Sequence, residues 1–151
     1  AAAAGVDQIA ADLMAVLHAR LGGAYMEVWR FGAAAAQYKS ALRLKPALVG
    51  CWSNLGDAQL QAGNAKDAVL SYLEALKLNP AHWPSRTGLA KALMAAKQYF
   101  MAKALLVDLT EERPLDGQLR HQLGKTCYRL DDLDEALRHF DASFALDSRR
   151  A

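Results

Sequence analysis

Apolar residues recur along the chain every three or four positions, and this helical spacing is interrupted at regular intervals. In residues 51–80, "CWSNLGDAQLQAGNAKDAVLSYLEALKLNP", the spacing breaks once, at "QAGN", and then resumes. Two amphipathic stretches on either side of a short polar break predict two antiparallel helices joined by a tight turn. The closing Pro80 cannot continue a helix, so we expect the chain to turn there.

The same arrangement returns with a period of 34 residues and stays in step over four units. The repeated columns are Leu21, Leu55, Leu89 and Leu123; Gly22, Gly56, Ala90 and Gly124; Ala34, Ala68, Ala102 and Ala136; and Tyr38, Tyr72, Leu106 and Phe140. A proline closes the first three units, and Ser148 takes that place in the fourth. A fixed period of this length predicts a stack of helical hairpins.

Small residues at fixed places in the second unit indicate how the helices pack. Gly56 and Ala68 are predicted to let the two backbones approach closely, and Tyr72 to fill the space beside that contact. Ala75 is predicted to admit the first helix of the next unit. Short polar side chains at the turns, Asn64 in this unit and Asp134 in the fourth, are expected to cap the second helices.

These columns resemble the tetratricopeptide repeat family, whose units carry W-x2-L-G-x2-Y, then A-x3-F-x2-A, then P. The second unit matches best, with Tyr72 in the phenylalanine column and Gln59 in place of the tyrosine, and the third unit is the most degenerate. The resemblance implies an all-α protein, a right-handed α-solenoid of tandem helix-turn-helix units. The predicted units are residues 15–48, 49–82, 83–116 and 117–151.

Both ends of the repeat array carry apolar faces. Residues 1–14 are interpreted as an N-terminal cap or the tail of a preceding repeat helix, because Val6, Ile9 and Leu13 share one helical face. The last helix still offers Leu137 and Phe144, where a stack normally ends on a polar face. We therefore expect a fragment of a longer protein, or a face that meets another subunit.

Composition and charge narrow the class of protein. The formal net charge of +2 is too small to indicate nucleic-acid binding. No apolar run approaches the roughly 20 residues that cross a bilayer, and the opening "AAAAG" lacks the features of a signal peptide. Cys51 and Cys127 are far apart in sequence and have no metal-ligand spacing, which favours two reduced thiols. A cytoplasmic protein without membrane insertion is expected.

Candidate catalytic groups do not converge in the sequence. Histidines are spread over all four units, at His18, His82, His121 and His139. The acidic stretch "DDLDE", residues 131–135, falls on a helix–helix turn, where capping explains it better than paired acid–base catalysis. Phosphate-binding glycine motifs are missing as well. The sequence predicts no enzyme, no cofactor and no metal site.

The resemblance also implies where a partner binds, because first helices of such units line a concave groove. The groove-facing candidates in this sequence are Arg20, Asn54, Asp57, Lys91, His121, Gln122, Lys125 and Arg129. Cations outnumber carboxylates among them, which favours a protein or peptide partner of acidic character. A scaffold or adaptor is the predicted function, and an ordinary solvated face is the competing interpretation.

Alternative functions remain open at this point. The repeats could belong to a larger enzyme of the glycosyl- or sulfotransferase type and recruit its substrate, form a homo-oligomer, or contact the rest of a longer chain. Family members that grip chaperone tails ending in EEVD use a set of lysines, asparagines and an arginine from three units. Asn54 matches one of these positions, but Ala19, Gly23, Pro84 and Gly88 occupy others. This chaperone-tail function is therefore not predicted.

Aromatic residues interrupt the first predicted turn, where polar residues are usual. Trp29 and Phe31 flank Arg30 in "EVWRFG". One interpretation is that they cover Val6 and Ile9 of the N-terminal segment. The other is that they are exposed interface anchors, because aromatic residues and arginine are enriched at interface hot spots.

Overall fold

A computed structural model describes residues 2–150, and eight α-helices account for most of them. In chain order the helices are α1 (Ala2–Glu27), α2 (Phe31–Leu44), α3 (Val49–Gln61), α4 (Ala65–Leu78), α5 (Trp83–Ala95), α6 (Tyr99–Glu112), α7 (Gly117–Arg129) and α8 (Leu133–Ser148). Short turns separate them near the predicted breaks. Among the described residues, no helix combines the length and apolar character needed to cross a bilayer.

The helices form two compact bodies, which we describe separately. The first body ends at Leu89 and contains α1 to α4 with the first half of α5. Within it, α1 packs on α2, α2 on α3 and α3 on α4. The second body begins at Ala90, and in it α6 packs on α7 and α7 on α8.

The glycine column exists because an aromatic ring of the paired helix lies directly against it. A Cβ atom added to Gly56 would lie 2.7 Å from Cε1 of Tyr72, and one added to Gly22 would lie 2.8 Å from Cε1 of Tyr38. Gly124 and the ring of Phe140 repeat this contact in the second body, at 2.9 Å. Carbon atoms do not pack this closely, so a side chain at these positions would force the helices or the ring to shift.

Tyr72 makes more contacts in the first body than its place in the repeat predicts. Its ring is fully buried and also lies against Gly88 of α5, a glycine outside the repeated columns. Its hydroxyl donates a hydrogen bond to the carboxylate of Asp57 on α3. Burial, reinforced by this hydrogen bond, raises the pKa of Tyr72 well above its ordinary value, so the phenol stays protonated.

Each hairpin turn contains one residue in the left-handed backbone region, at the same place in every unit. These residues are Trp29, Gly63, Lys97 and Asp131, with φ angles of 61°, 86°, 61° and 62°. Glycine adopts this conformation without steric cost, whereas other residues place Cβ close to a backbone carbonyl oxygen. Only the second unit has glycine there, so the other three turns carry local strain.

Helix capping differs from the predicted pattern at two turns. Asp132, rather than Asp134, is the N-cap of α8, and its side chain accepts a hydrogen bond from the backbone N–H of Glu135 at 3.2 Å. Asn64 does occupy the N-cap of α4, but its side chain makes no capping hydrogen bond. Asp116 caps α7, because its side chain accepts hydrogen bonds from the backbone N–H groups of Gln118 and Leu119.

The interpretation that Trp29 covers the N-terminal segment is wrong. Trp29 is 78% exposed, and Val6 and Ile9 are exposed as well. Residues 6–14 belong to α1, which runs without a break to Glu27. At 1.5 Å per residue, Ile9 lies about 27 Å along the helix from that end, beyond the reach of a side chain in the following turn.

The outward faces of the first and last helices remain exposed, as the sequence pattern indicated. Leu21 of α1 is 44% exposed, whereas Leu55 in the same column of α3 is 2% exposed. Phe144 of α8 is 75% exposed, whereas Leu42 in the same column of α2 is 6% exposed. Positions that neighbouring helices cover inside the array are therefore uncovered on these two faces.

Candidate functional site

A small cavity in the second body brings together four of the predicted groove residues. It measures about 270 Å3 and is formed by α5, the start of α6 and α7. The lining side chains, which we call the basic pocket, are Lys91, Met94, Ala95, Tyr99, Gln122, Lys125 and Arg129. Lys91 comes from α5, and Gln122, Lys125 and Arg129 come from one face of α7, because they are spaced three and four residues apart.

The buried side of α7 fixes this orientation. Leu119, Leu123 and Cys127 are almost completely buried, so the helix cannot turn without exposing them. The hydroxyl of Thr126 donates to the carbonyl oxygen of Gln122 at 2.8 Å and lies 3.1 Å from the sulfur of Met94 on α5. The apolar packing of α7 therefore sets the direction of the polar residues on its opposite face.

The basic pocket carries three positive charges, and no carboxylate is among its lining residues. Lys91, Lys125 and Arg129 are all exposed, and within residues 2–150 none of them forms an ion pair. Arg129 lies in the last turn of α7, where a cation is favourable. Tyr99 and Met94 add apolar surface beside the charges. The pocket can therefore accept a carboxylate next to an apolar side chain.

His121 does not line the basic pocket. Its ring lies 5.4 Å from the ring of Phe140, centroid to centroid, and the residue is exposed. The remaining groove candidates, Arg20, Asn54 and Asp57, are exposed residues of the first body. Because the Asp57 carboxylate already accepts a hydrogen bond from Tyr72, it is partly committed to the fold. That these residues share a site with the basic pocket stays a prediction.

Comparison with known families identifies the repeat. The family model described as tetratricopeptide repeat matches residues 49–82. Residues 49–82 are thus a tetratricopeptide repeat. Superkiller protein 3 of Schizosaccharomyces pombe is 27% identical over 119 residues, which are 79% of this chain and 9% of that protein. The Hsp70-Hsp90 organizing protein of Triticum aestivum is 33% identical over 81 residues, covering 54% of this chain and 14% of that protein.

Solved structures share the fold of most of the chain. The structure of MamA 41-end from Desulfovibrio magneticus RS-1 matches with a TM-score of 0.84 and 21% identity, over 89% of this chain and 76% of that one. YrrB, described as a TPR protein with an unusual peptide-binding site, matches with a TM-score of 0.81 and 19% identity, over 87% of this chain and 68% of that one. These likenesses confirm the predicted fold class, an all-α solenoid of tandem helix-turn-helix units.

The chain spans only 9% and 14% of the length of the two curated relatives. The shared regions are therefore repeats within much longer proteins.

The structure adds an aromatic residue to the basic pocket that the repeat pattern does not predict. Tyr99 is the first residue of α6, and the groove rule considers only first helices of each unit. It reaches the pocket because the α5–α6 turn places the start of α6 beside the end of α5. An aromatic residue directly after a predicted turn was the available signal.

A second cavity, in the first body, was also missed from the sequence. It measures about 540 Å3 and lies among α2, α3 and α4. We call it the mixed cavity. Its lining residues are Lys39, Leu42, Arg43, Trp52, Leu55, Gln59, Asp67, Leu70, Ser71 and Glu74. Ser71 donates to the side-chain carbonyl of Gln59 at 2.6 Å in this lining. The signal was Gln59 itself, which replaces a larger family tyrosine.

Proposed function

We propose that this chain is a protein-binding scaffold whose basic pocket holds an acidic segment of a partner polypeptide. The observation that supports this most is a cavity lined by Lys91, Lys125 and Arg129 and by no carboxylate, where none of the three cations forms an ion pair within residues 2–150. The tetratricopeptide repeat at residues 49–82 supports a binding role, and the description of YrrB as having a peptide-binding site supports a peptide as ligand.

Each side chain of the pocket has a distinct part in this proposal. Lys125 and Arg129 pair with carboxylates of the partner, since charge-assisted hydrogen bonds are about twice as strong as neutral ones. The amide of Gln122 can both donate to and accept from a peptide backbone. A cavity of about 270 Å3 lies at the small end of ligand sites, so it takes about one or two partner side chains.

Charge reversal in the pocket tests the proposal. The probe is a fluorescent decapeptide in which glutamate alternates with leucine, and its glutamine counterpart serves as the neutral reference. The double variant Lys125→Glu/Arg129→Glu should bind the acidic peptide about 10- to 100-fold more weakly, because two contacts of about 0.7–1.4 kcal/mol each are lost. Its affinity should also depend less on salt concentration.

A matched control carries the same charge change elsewhere. Lys39→Glu/Arg43→Glu also replaces two exposed cations with carboxylates, but in the mixed cavity of the first body. This variant should stay within about twofold of the unmodified chain, because long-range effects are screened at physiological salt. Equal losses in both double variants would reject the basic pocket as the site.

A further inference from the structure

Three side chains with metal-ligand chemistry meet where α7 turns into α8. The sulfur of Cys127, a carboxylate oxygen of Glu135 and a ring nitrogen of His139 all lie within 4.8 Å of one another. Glu135 and His139 are four residues apart on α8, so they share one face of that helix. Cys127 is in the last turn of α7 and is brought to them by the hairpin.

The cluster is closed on one side and open on the other. Cys127 is fully buried at its base, whereas the side chains of Glu135 and His139 keep 31% and 16% of their exposure. An ion can therefore reach the carboxylate and imidazole first and meet the sulfur beneath them. The other cysteine, Cys51, belongs to no such group within the described residues.

A positive charge already occupies the cluster. The Lys103 ammonium of α6 lies 2.5 Å from Oε2 of Glu135 and 3.9 Å from Oδ2 of Asp132. The Glu135 carboxylate is therefore already paired with a cation in this structure. Asp132 accepts the N-cap hydrogen bond of α8 through its other oxygen, so it is committed to the helix. The site is thus built to hold a cation.

We propose that Cys127, Glu135 and His139 form a zinc site that the Lys103 ammonium occupies when the metal is absent. A thiolate, an imidazole and a carboxylate suit Zn2+, whereas Mg2+ and Ca2+ prefer oxygen ligands throughout. Three protein ligands leave the fourth tetrahedral position to water. On binding, the thiol proton passes to solvent and the ammonium swings out of the cluster.

The geometry requires only local adjustment. Tetrahedral zinc with bonds of about 2.0–2.3 Å places its ligand atoms about 3.3–3.8 Å apart. The observed separations are at most 4.8 Å, and rotation of the two partly exposed side chains can shorten them to that range. Because the ligands come from both helices of the hairpin, the bound ion would cross-link α7 to α8. This inference goes beyond the proposed peptide binding and does not depend on it.

Cobalt substitution tests the site directly. We expect Co2+ added to the metal-free, reduced chain to produce a thiolate-to-cobalt absorption band in the near ultraviolet, which equimolar Zn2+ removes. Cys127→Ser should abolish the band, and His139→Gln should weaken Co2+ binding at least tenfold. Cys51→Ser, which changes the other buried thiol, should leave both unchanged. Circular dichroism of each variant establishes that the helices are retained.

The variant Lys103→Met tests whether the Lys103 ammonium competes with metal or only forms a structural ion pair with Glu135. If the ammonium competes with metal, removing it should tighten Co2+ binding several-fold. Should Cys127→Ser fail to fold, His139→Gln and Lys103→Met still decide, because both side chains are partly exposed. Absence of a cobalt–thiolate band, or a band that survives His139→Gln unchanged, would overturn the zinc site.

Discussion

The basic pocket and the mixed cavity are built on the same repeat but differ in the charges of their lining residues. The mixed cavity is twice as large and has two cations and two carboxylates among its residues, Lys39, Arg43, Asp67 and Glu74. Glu74 is also paired with Lys77 at 2.6 Å. The basic pocket has three cations and no such compensation. The repeat fixes where helices lie, and the polar positions between its columns decide what each cavity attracts.

The mixed cavity offers more apolar surface than the basic pocket. Leu42, Trp52 and Leu55 line the mixed cavity, and Leu70 beside them is 62% exposed. Trp52 uses its indole N–H internally, donating to the carbonyl oxygen of Pro46 at 2.8 Å. This cavity therefore offers mainly apolar contact, whereas the basic pocket offers charge. We therefore expect an acidic peptide to prefer the basic pocket, whereas a neutral apolar peptide should not prefer it.

The largest effect on this comparison is expected from the glycines that hold the helix pairs together. Gly56→Ala places a methyl group against the buried Tyr72 ring of the first body and should lower the free energy of unfolding by about 2 kcal/mol. Gly124→Ala meets the less buried ring of Phe140 and should cost less. Urea denaturation measures both.

The matched control for these variants is Gly50→Ala. A Cβ atom at Gly50 meets nothing within 4 Å, so the same chemical change should stabilise α3 by up to about 1 kcal/mol. If Gly56→Ala and Gly50→Ala had the same effect, ring-on-glycine packing would not hold the first body together.

The next largest effect is expected at alkaline pH, which should lower the stability of the first body more than that of the second. Tyr72 has a pKa raised above the ordinary value of 10.0, so it contributes stability that is complete below pH 10 and is lost as pH rises above it. The corresponding residue of the fourth unit, Phe140, has no proton to lose. Between pH 10 and 11, the unmodified chain should lose about 1 kcal/mol more than Tyr72→Phe.

Chemical denaturation across that pH range tests this expectation, and Tyr128→Phe serves as the control. Tyr128 is 60% exposed, and its removal should leave the alkaline slope unchanged. Parallel slopes for the unmodified chain and Tyr72→Phe would contradict the assigned role of burial at Tyr72.

The smallest expected effect concerns the turns. Lys97→Gly should raise the free energy of unfolding by about 1 kcal/mol, because glycine removes the left-handed strain at φ 61°. Gly63→Ala introduces the same strain in the equivalent turn and should lower stability by a similar amount. Thermal unfolding of the two variants should shift the midpoint in opposite directions, and shifts of the same sign would refute the interpretation.

Much of this organisation was accessible from the sequence, because helical spacing and column period depend on local residues. The period predicted the hairpins, and the groove positions included Lys91, Gln122, Lys125 and Arg129, which line one cavity. Features that depend on how separate elements meet were not accessible. The hairpin alone brings Cys127 to His139, and no residue type at Lys97 indicates a left-handed turn.

The most direct test of acidic-segment binding is to map where the peptide binds by nuclear magnetic resonance. An isotope-labelled chain is titrated with the decapeptide of alternating glutamate and leucine, and backbone amide shifts are followed residue by residue. Binding in the basic pocket predicts the largest shifts around Lys91, Tyr99 and Lys125, which disappear in high salt. Shifts centred on Trp52 and Leu70 of the mixed cavity, or none at saturating peptide, would contradict it.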